Sequence, residues 1–351
     1  MTTVLSIAAA VIAFSLLIIV HEAGHMGVAR LLGMRVERFS VGFGPVLTRF
    51  RRGDTEYVLS ALPLGGYVRI RGMTSGEEVA DDDPTAYCNQ RAWRRFLAIA
   101  AGPAMNYLAA VLVAAVLVGT VGLPSADPGP RVGDLRPDYP AARAGLERGD
   151  RVLSVAGEPV TSWRGLVDVI QRHPGESVAF EVERGEGAGA RRLTLPVTPL
   201  DDGGVGRVGF QNYVTTELRS GPDALAAGLR LTNAHAAEQL AGLGRALQPR
   251  HRSELSGPVG IAQAMVRSAH LGWASLLAIA WEVSIALALL NLLPIPALDG
   301  GRLVFLAYEI VTRRRVNERV ENFVHLAGFV ALLALILAVT VFGDLPRLLH
   351  R

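Results

Sequence analysis

The stretch Leu16-Leu-Ile-Ile-Val-His-Glu-Ala-Gly-His25 joins a long apolar run to three ionisable residues. No charged side chain precedes His21, and apolar patches continue to Leu32, so the run is long enough to cross a bilayer as a helix. A secretory signal peptide would instead begin with a positive region and close on a small-residue cleavage site. The stretch therefore predicts a first membrane span over residues 1–32.

Composition agrees with a membrane protein. Half of the 351 residues are apolar and the mean hydropathy is +0.31, above what a soluble domain needs to build its core. All 35 basic residues are arginines, and the single cysteine, Cys88, cannot form an internal disulfide. We expect the lipid bilayer as a partner, and no nucleic acid.

Three further apolar runs are long enough to cross a bilayer: residues 96–123, 271–298 and 323–343. Arginine-rich segments follow the first span and the third, so the positive-inside rule puts both of these segments in the cytoplasm. The termini and residues 127–270 then lie on the extracytoplasmic side.

The segments between the spans differ in pattern. Residues 39–71 contain glycine-bounded alternating runs and predict a β-hairpin. Residues 127–200 contain short strand-like runs and a helix, and residues 140–157 resemble the most recognisable part of a PDZ domain. Residues 201–270 have the character of an extracytoplasmic linker with amphipathic helices. The predicted fold is an α-helical membrane protein with four transmembrane helices, a membrane-associated β-hairpin and one extracytoplasmic α+β PDZ-like domain.

The motif His21-Glu22-Ala-Gly-His25 carries the chemistry. Its two imidazoles are four residues apart, so both reach one cation from one helical face, with Glu22 beside them. Zinc accepts imidazole nitrogen and carboxylate oxygen in a tetrahedral site and lowers the pKa of bound water. Such short motifs also occur by chance in ordinary helices, but ionisable groups inside a membrane span usually mark a functional site. We expect a Zn²⁺ site with Glu22 as general base.

A catalytic zinc needs a third protein ligand, and three residues in the membrane region are candidates: Glu282, Asp299 and His325. Asp299 lies in Asn291-Leu-Leu-Pro-Ile-Pro-Ala-Leu-Asp-Gly-Gly301, where two prolines interrupt a span. Broken helices at membrane depth are tolerated where they line a cavity. Asp299 is favoured because it and the histidines lie near the same edge of the membrane. For Glu282 and His325, helix packing or pairing with another polar group is a sufficient reason to lie within a span.

Taken together, the motifs resemble those of the site-2 proteases, which are zinc intramembrane metalloproteases, and within them the bacterial regulator-of-sigma-E type. The matching pieces are collinear and span nearly the whole chain. Besides the histidine motif, they are Gly42-Phe-Gly-Pro45, Leu64-Gly-Gly-Tyr67, Ala101-Gly-Pro-Ala-Met-Asn106, one PDZ-like domain, Ser256-Gly-Pro-Val-Gly-Ile261 and the segment from Asn291 to Gly301.

The resemblance implies roles for individual residues. His21, His25 and Asp299 correspond to the zinc ligands and Glu22 to the catalytic acid and base. The hairpin corresponds to a membrane-reentrant β element whose edge holds an unwound substrate segment. Residues expected near the substrate are Asn291, Pro294, Gly42, Gly44, Gly65, Gly66 and Tyr67.

The resemblance also implies partners and a location. Family members cut single-span membrane proteins, such as an anti-sigma factor or a remnant signal peptide, after an upstream site-1 protease has shed the outer part. The location is the bacterial cytoplasmic (inner) membrane, with the active site near the cytoplasmic side and the PDZ-like domain outside. This chain has room for one PDZ-like domain, where the enterobacterial enzymes have two. The mechanism by which those enzymes filter substrates therefore does not carry over directly.

Two other functions fit the sequence less well. A catalytically inactive PDZ scaffold or chaperone would hold zinc in a closed site with four protein ligands. A metal transporter would need ionisable residues along a path through several spans, whereas here they collect at one edge.

Overall fold

The protein divides into two compact units, one of residues 1–120 and 220–351 and the other of residues 121–219. The computed structural model describes residues 3–74, 77–185, 187–246 and 257–344. In chain order the elements are α1 (Thr3–Leu31), β1 (Val36–Arg52), β2 (Thr55–Ile70), α2 (Ala92–Thr120), β3 (Leu123–Ala126), β4 (Val132–Leu135), α3 (Pro140–Arg143), β5 (Arg151–Val155), β6 (Glu158–Pro159), α4 (Trp163–Gln171), β7 (Val178–Arg184), β8 (Arg191–Val197), β9 (Leu200–Asp201), β10 (Gly206–Arg207), β11 (Phe210–Asn212), β12 (Val214–Glu217), α5 (Gly221–Ala246), α6 (Pro258–Leu271), α7 (Trp273–Leu292), α8 (Asp299–Thr312) and α9 (Glu318–Val339).

Four helices of the first unit, α1, α2, α7 and α9, are long and apolar enough to cross a membrane. Together with the strands, they fit the predicted helical membrane protein. The third predicted span, residues 271–298, is helical only from Trp273 to Leu292, because Pro294 and Pro296 lack the N–H groups that would continue the helix.

The helix α2 packs against α1, α5, α7 and α8. Gly24 of α1 permits one of these contacts, since a side chain there would overlap the carbonyl oxygen of Ala101 and lie 2.7 Å from Met105 Cγ. Small residues allow membrane helices to approach closely in this way. Ser284 of α7 donates a hydrogen bond of 2.8 Å to the carbonyl of Asn106. The core of this unit is therefore built around the middle of α2.

Helix α5, in the region predicted as a linker, packs on the membrane-length helices. A side chain at Gly228 would lie 2.7 Å from the backbone nitrogen of Ala115 in α2, and Trp281 Nε1 donates to Thr232 Oγ1 at 3.0 Å. The ring of His235, three residues before Glu238, also packs on Trp281, with ring centroids 4.8 Å apart. Residues 221–246 thus belong to the helical unit, which apolar periodicity alone did not reveal.

The hairpin of β1 and β2 is bent so that the first part of β1 has β2 on both sides. Ser40 pairs with Tyr67 on one side and with Val58 on the other. The segment of β2 near Tyr67 is therefore an outer edge of this sheet. In the second half of β1, the side chains of Val46, Leu47 and Phe50 are exposed.

The segment between α7 and α8 packs closely against the first turn of α8, because that turn contains two glycines, Gly300 and Gly301. A side chain at Gly300 would overlap the carbonyl of Leu293, and one at Gly301 would lie 2.7 Å from the carbonyl oxygen of Ile295. Ala297 has φ of 80°, in the left-handed region that non-glycine residues rarely adopt. The break thus turns sharply and begins α8 at Asp299.

The second unit is built on an antiparallel four-stranded sheet of order β6-β5-β7-β8 with the short helix α4. Its core contains the fully buried side chains of Phe180, Leu166 and Val152. Asp150, which is 1% exposed, accepts hydrogen bonds from Arg184 at 2.8 Å and from the backbone N–H of Glu147 at 2.9 Å. The unit has the expected α+β character, and its PDZ identity stays a prediction.

Replacing Asp150 with Ala is expected to lower the free energy of unfolding of the second unit by about 2 kcal/mol, because Arg184 and the Glu147 N–H lose their carboxylate in a mostly buried setting. The matched control is Asp134→Ala, which breaks the exposed Arg148–Asp134 pair and is expected to cost less than about 1 kcal/mol. Hydrogen exchange of β5 and β7 in the purified full chain measures both changes. Equal exchange in the two variants would contradict this account.

Candidate metal centre

Three predicted ligands meet at one point in the first unit. His21 and His25 lie one turn apart on α1, and Asp299 is the first residue of α8. Their nearest atoms form a small triangle: His21 Nε2 to His25 Nε2 is 3.2 Å, His21 Nε2 to Asp299 Oδ2 is 3.1 Å, and His25 Nε2 to Asp299 Oδ2 is 3.3 Å. The fold thus brings two residues of one helix together with a third residue that lies about 270 positions later in the sequence.

The triangle has the size of one face of a tetrahedral zinc site. Zinc bonds of 2.0–2.2 Å to nitrogen and oxygen, set at tetrahedral angles, imply ligand separations of about 3.3 Å. The two imidazoles and one carboxylate are also the donor types that zinc accepts. Among the described residues, the cluster contains these three ligands and no fourth, which corresponds to a catalytic site with an open position and not to a closed structural site.

Outer contacts fix the orientation of the imidazoles. His25 Nδ1 donates to the carbonyl of Ala98 at 2.9 Å, which directs the lone pair of Nε2 towards the triangle. His21 Nδ1 lies 3.3 Å from the side-chain amide of Asn106, which is fully buried in α2. Both partners belong to α2, so this helix holds the two ligands of α1 in place.

Gly102 provides the space for the imidazoles. A side chain at this position would overlap His25 Nε2 and lie 2.5 Å from His25 Cε1 and 2.8 Å from His21 Cε1. Only glycine leaves room for both rings against α2. Gly102 and Asn106 were not predicted as site residues, although both lie in a quoted motif. An asparagine within an apolar span was the sequence signal that could have identified Asn106.

Glu22 lies between the ligands and the hairpin. A side chain at Gly66 would lie 3.5 Å from Glu22 Cγ and 3.4 Å from Ile18, and the backbone of Val68 lies next to the Glu22 carboxylate. The outer edge of β2 thus runs directly past the carboxylate. A carboxylate one residue from a metal ligand and next to an open strand edge is suited to exchange a proton with a group bound there.

The two other ligand candidates lie elsewhere. His325 accepts a hydrogen bond from the backbone N–H of Ala297 at 3.0 Å, and the carbonyl of Glu282 accepts one from Gln239 at 3.1 Å. Neither side chain belongs to the metal-ligand cluster found among the described residues.

The predicted substrate residues fall into two groups. The glycines shape the hairpin: Gly42 and Gly44 have φ of 86° and 84°, and a side chain at Gly65 would overlap the Phe43 ring. The Tyr67 ring stacks on Phe43 with centroids 6.3 Å apart. Asn291 lies in the last turn of α7 and Pro294 in the break, outside the ligand triangle.

Gly102→Ala is expected to reduce zinc affinity by at least about 100-fold, because the added methyl group occupies the space of both imidazoles. Gly27→Ala is the matched control, since a methyl group there meets no atom within 4 Å. Zinc competition with a chromophoric chelator on the purified variants measures both. Normal zinc affinity in Gly102→Ala would contradict the assigned geometry.

Comparison with known proteins identifies relatives along nearly the whole chain. Residues 9–335 match the model of peptidase family M50. The zinc metalloprotease RasP of Geobacillus kaustophilus is 30% identical, over 98% of this chain and 99% of that protein. The zinc metalloprotease RasP of Bacillus licheniformis is 28% identical over the same shares of the two chains. The regulator of sigma-W protease RasP of Bacillus subtilis is 29% identical, again over 98% and 99%.

These matches confirm the family expected from the motifs, whereas the regulator-of-sigma-E type stays a prediction. Zinc is the cofactor that the relatives' names imply, and the three-ligand triangle fits it. The chain thus belongs to peptidase family M50, the site-2 proteases, and is an intramembrane metalloendopeptidase that uses zinc.

Proposed function

We propose that the protein hydrolyses a peptide bond in the transmembrane segment of a single-span membrane protein, with His21, His25 and Asp299 as zinc ligands and Glu22 as general base. The observation that carries the proposal is the ligand triangle with sides of 3.1–3.3 Å beside Glu22. When bound there, Zn²⁺ polarises the scissile carbonyl and lowers the pKa of water.

Glu22 performs the proton transfers in this mechanism. Its carboxylate takes a proton from the attacking water and delivers it to the nitrogen of the leaving amine. With three protein ligands, a metal held here would keep its fourth position for the water on which Glu22 acts. Ala98 and Asn106 keep the imidazoles oriented during the reaction, so the site needs little reorganisation.

The outer edge of β2 is the proposed binding site of the substrate. A transmembrane helix hides its carbonyls in hydrogen bonds, so the segment must unwind before it reacts. Backbone groups of an added strand replace the lost hydrogen bonds. The edge from Gly66 to Ile70 pairs with β1 on one side, and its residues Gly66 and Val68 approach Glu22. A strand added there brings its backbone next to the general base.

The hairpin is proposed to enter the membrane. Near its bend the hairpin exposes Val46 by 54% and Leu47 by 66%, and an apolar surface of this kind is unfavourable in water. Contact with lipid removes that cost. Arg51 and Arg52, beside the turn into β2, then lie towards the cytoplasmic surface, in keeping with the positive-inside rule.

The biological setting is proposed from the relatives and the topology. One relative is named regulator of sigma-W protease RasP, which supports an anti-sigma factor as a substrate class. A remnant signal peptide is a second substrate of the same chemistry, and an upstream site-1 protease would make the first cut. The proposed location is the bacterial inner membrane, with the metal near the cytoplasmic side and residues 127–200 as an extracytoplasmic PDZ-like domain that selects shortened substrates.

Glu22→Gln is expected to keep zinc and lose cleavage by at least about 1,000-fold, because the amide cannot accept the proton of water. Asp299→Ala is expected to lose both zinc and cleavage. The measurement is cleavage of a tagged single-span substrate by each purified variant, together with its zinc content. Cleavage by zinc-loaded Glu22→Gln would remove this residue from the mechanism.

Strand addition predicts a cross-linking pattern. In a Cys88→Ala, Glu22→Gln background, Tyr67→Cys is expected to form disulfides with every second cysteine position along the substrate segment, because strand side chains alternate with a period of two. Thr48→Cys, in the far half of the hairpin, is the control and should cross-link weakly. A period of three to four substrate residues would instead indicate that the segment binds as a helix.

A further inference from the structure

Helix α9 contacts the break that leads into Asp299. Nδ1 of His325 accepts a hydrogen bond of 3.0 Å from the backbone N–H of Ala297. One turn later, a side chain at Gly328 would overlap Pro296 Cβ and lie 2.8 Å from the Pro296 carbonyl oxygen. His325 and Gly328 are three residues apart and therefore lie on the same face of α9. This face is fitted to the two residues of the break, Pro296 and Ala297.

The conformation held by this contact is costly by itself. Ala297 has φ of 80°, in the left-handed region that is unfavourable for a residue with a side chain because its Cβ crowds the backbone. Pro294 and Pro296 have no N–H to donate, which leaves few backbone hydrogen bonds to stabilise the turn. The Ala297 N–H finds its acceptor in a side chain of another helix.

The position of Ala297 gives this hydrogen bond a consequence for the metal centre. Ala297 lies two residues before Asp299, whose Oδ2 must lie within a few tenths of an ångström of its place beside both histidines. A change in the backbone at Ala297 alters the direction in which α8 begins. The carboxylate moves with it.

We propose that His325 is a positioning residue of the metal centre: its Nδ1 holds Ala297 in the left-handed conformation that directs the Asp299 carboxylate to the zinc. The inference rests on the proposed role of Asp299 as the third ligand. His325 itself does not bind the metal in this account. Its imidazole acts through the backbone of the break.

Two features support a specific role over general packing. The ring of His325 is oriented by Phe305 of α8, whose centroid lies 5.7 Å away. Elsewhere α9 is largely exposed, with Leu326 at 63% and Leu337 at 64%. A polar side chain in an apolar helix is costly unless it has a partner, and the Ala297 N–H provides one.

The test compares His325→Asn with His325→Gln. The Oδ1 atom of asparagine occupies nearly the place of Nδ1 and accepts the same hydrogen bond, whereas the acceptor of glutamine is one carbon further from the backbone. Zinc affinity is measured by chelator competition on the purified full chain in detergent. We expect the asparagine variant to stay within about three-fold of wild type and the glutamine variant to lose about ten-fold or more, as for other outer residues of metal sites.

The absorption spectrum of the Co²⁺-substituted protein provides a second readout. A displaced carboxylate changes the geometry of the ion, so the visible bands of His325→Gln should shift and weaken while those of His325→Asn match wild type. Loss of affinity in His325→Asn, or wild-type affinity and spectrum in His325→Gln, would overturn the proposal. If His325→Gln fails to fold, His325→Ala, which removes the acceptor, takes its place: wild-type zinc affinity in His325→Ala would overturn the proposal.

Asp299→Ala in the same assay separates this inference from the proposed function. Weakened zinc binding in Asp299→Ala together with normal binding in His325→Gln would reject the positioning role and keep the ligand assignment. Normal zinc binding in Asp299→Ala would reject the ligand assignment, and the positioning role with it.

Discussion

The convergence of two imidazoles and one carboxylate on a single point is the constraint on which the rest of the helical unit depends. Three groups with lone pairs 3.1–3.3 Å apart are held together in an apolar protein region only if a cation joins them or protons are shared. Several features of the fold serve this convergence. Gly24 and Gly102 bring α2 against α1, Ala98 and Asn106 orient the rings, and the break before Asp299 begins α8 beside them.

The hairpin adds a second constraint, because peptide hydrolysis needs an accessible backbone. In lipid, backbone N–H and C=O groups without hydrogen-bond partners are unfavourable. A sheet edge provides partners for the backbone groups of an unwound substrate segment. The bent hairpin leaves the outer side of Gly66 to Ile70 next to Glu22. Binding and chemistry are thereby joined at one place: the strand edge that would hold the substrate is the one that the general base approaches.

Much of this arrangement was predictable from local sequence. The spacing of His21 and His25 determines that both face one cation, and the two prolines before Asp299 indicate a broken helix. Other parts depend on contacts between distant segments, which a pattern in one segment does not reveal. The roles of Gly102 and His325 arise from the packing of α2 on α1 and of α9 on the break. Likewise, α5 has the composition of a solvated helix, yet it packs on α2 and α7 through Gly228 and Thr232.

X-ray absorption at the zinc edge of the purified wild-type protein measures the composition of the zinc site without any substitution. We expect one four-coordinate zinc with two imidazoles and two oxygen ligands, one from Asp299 and one from water, at about 2.0–2.2 Å. A third imidazole would point to His325 as a ligand, and a sulfur at about 2.3 Å would point to Cys88. Either result would contradict the site described here.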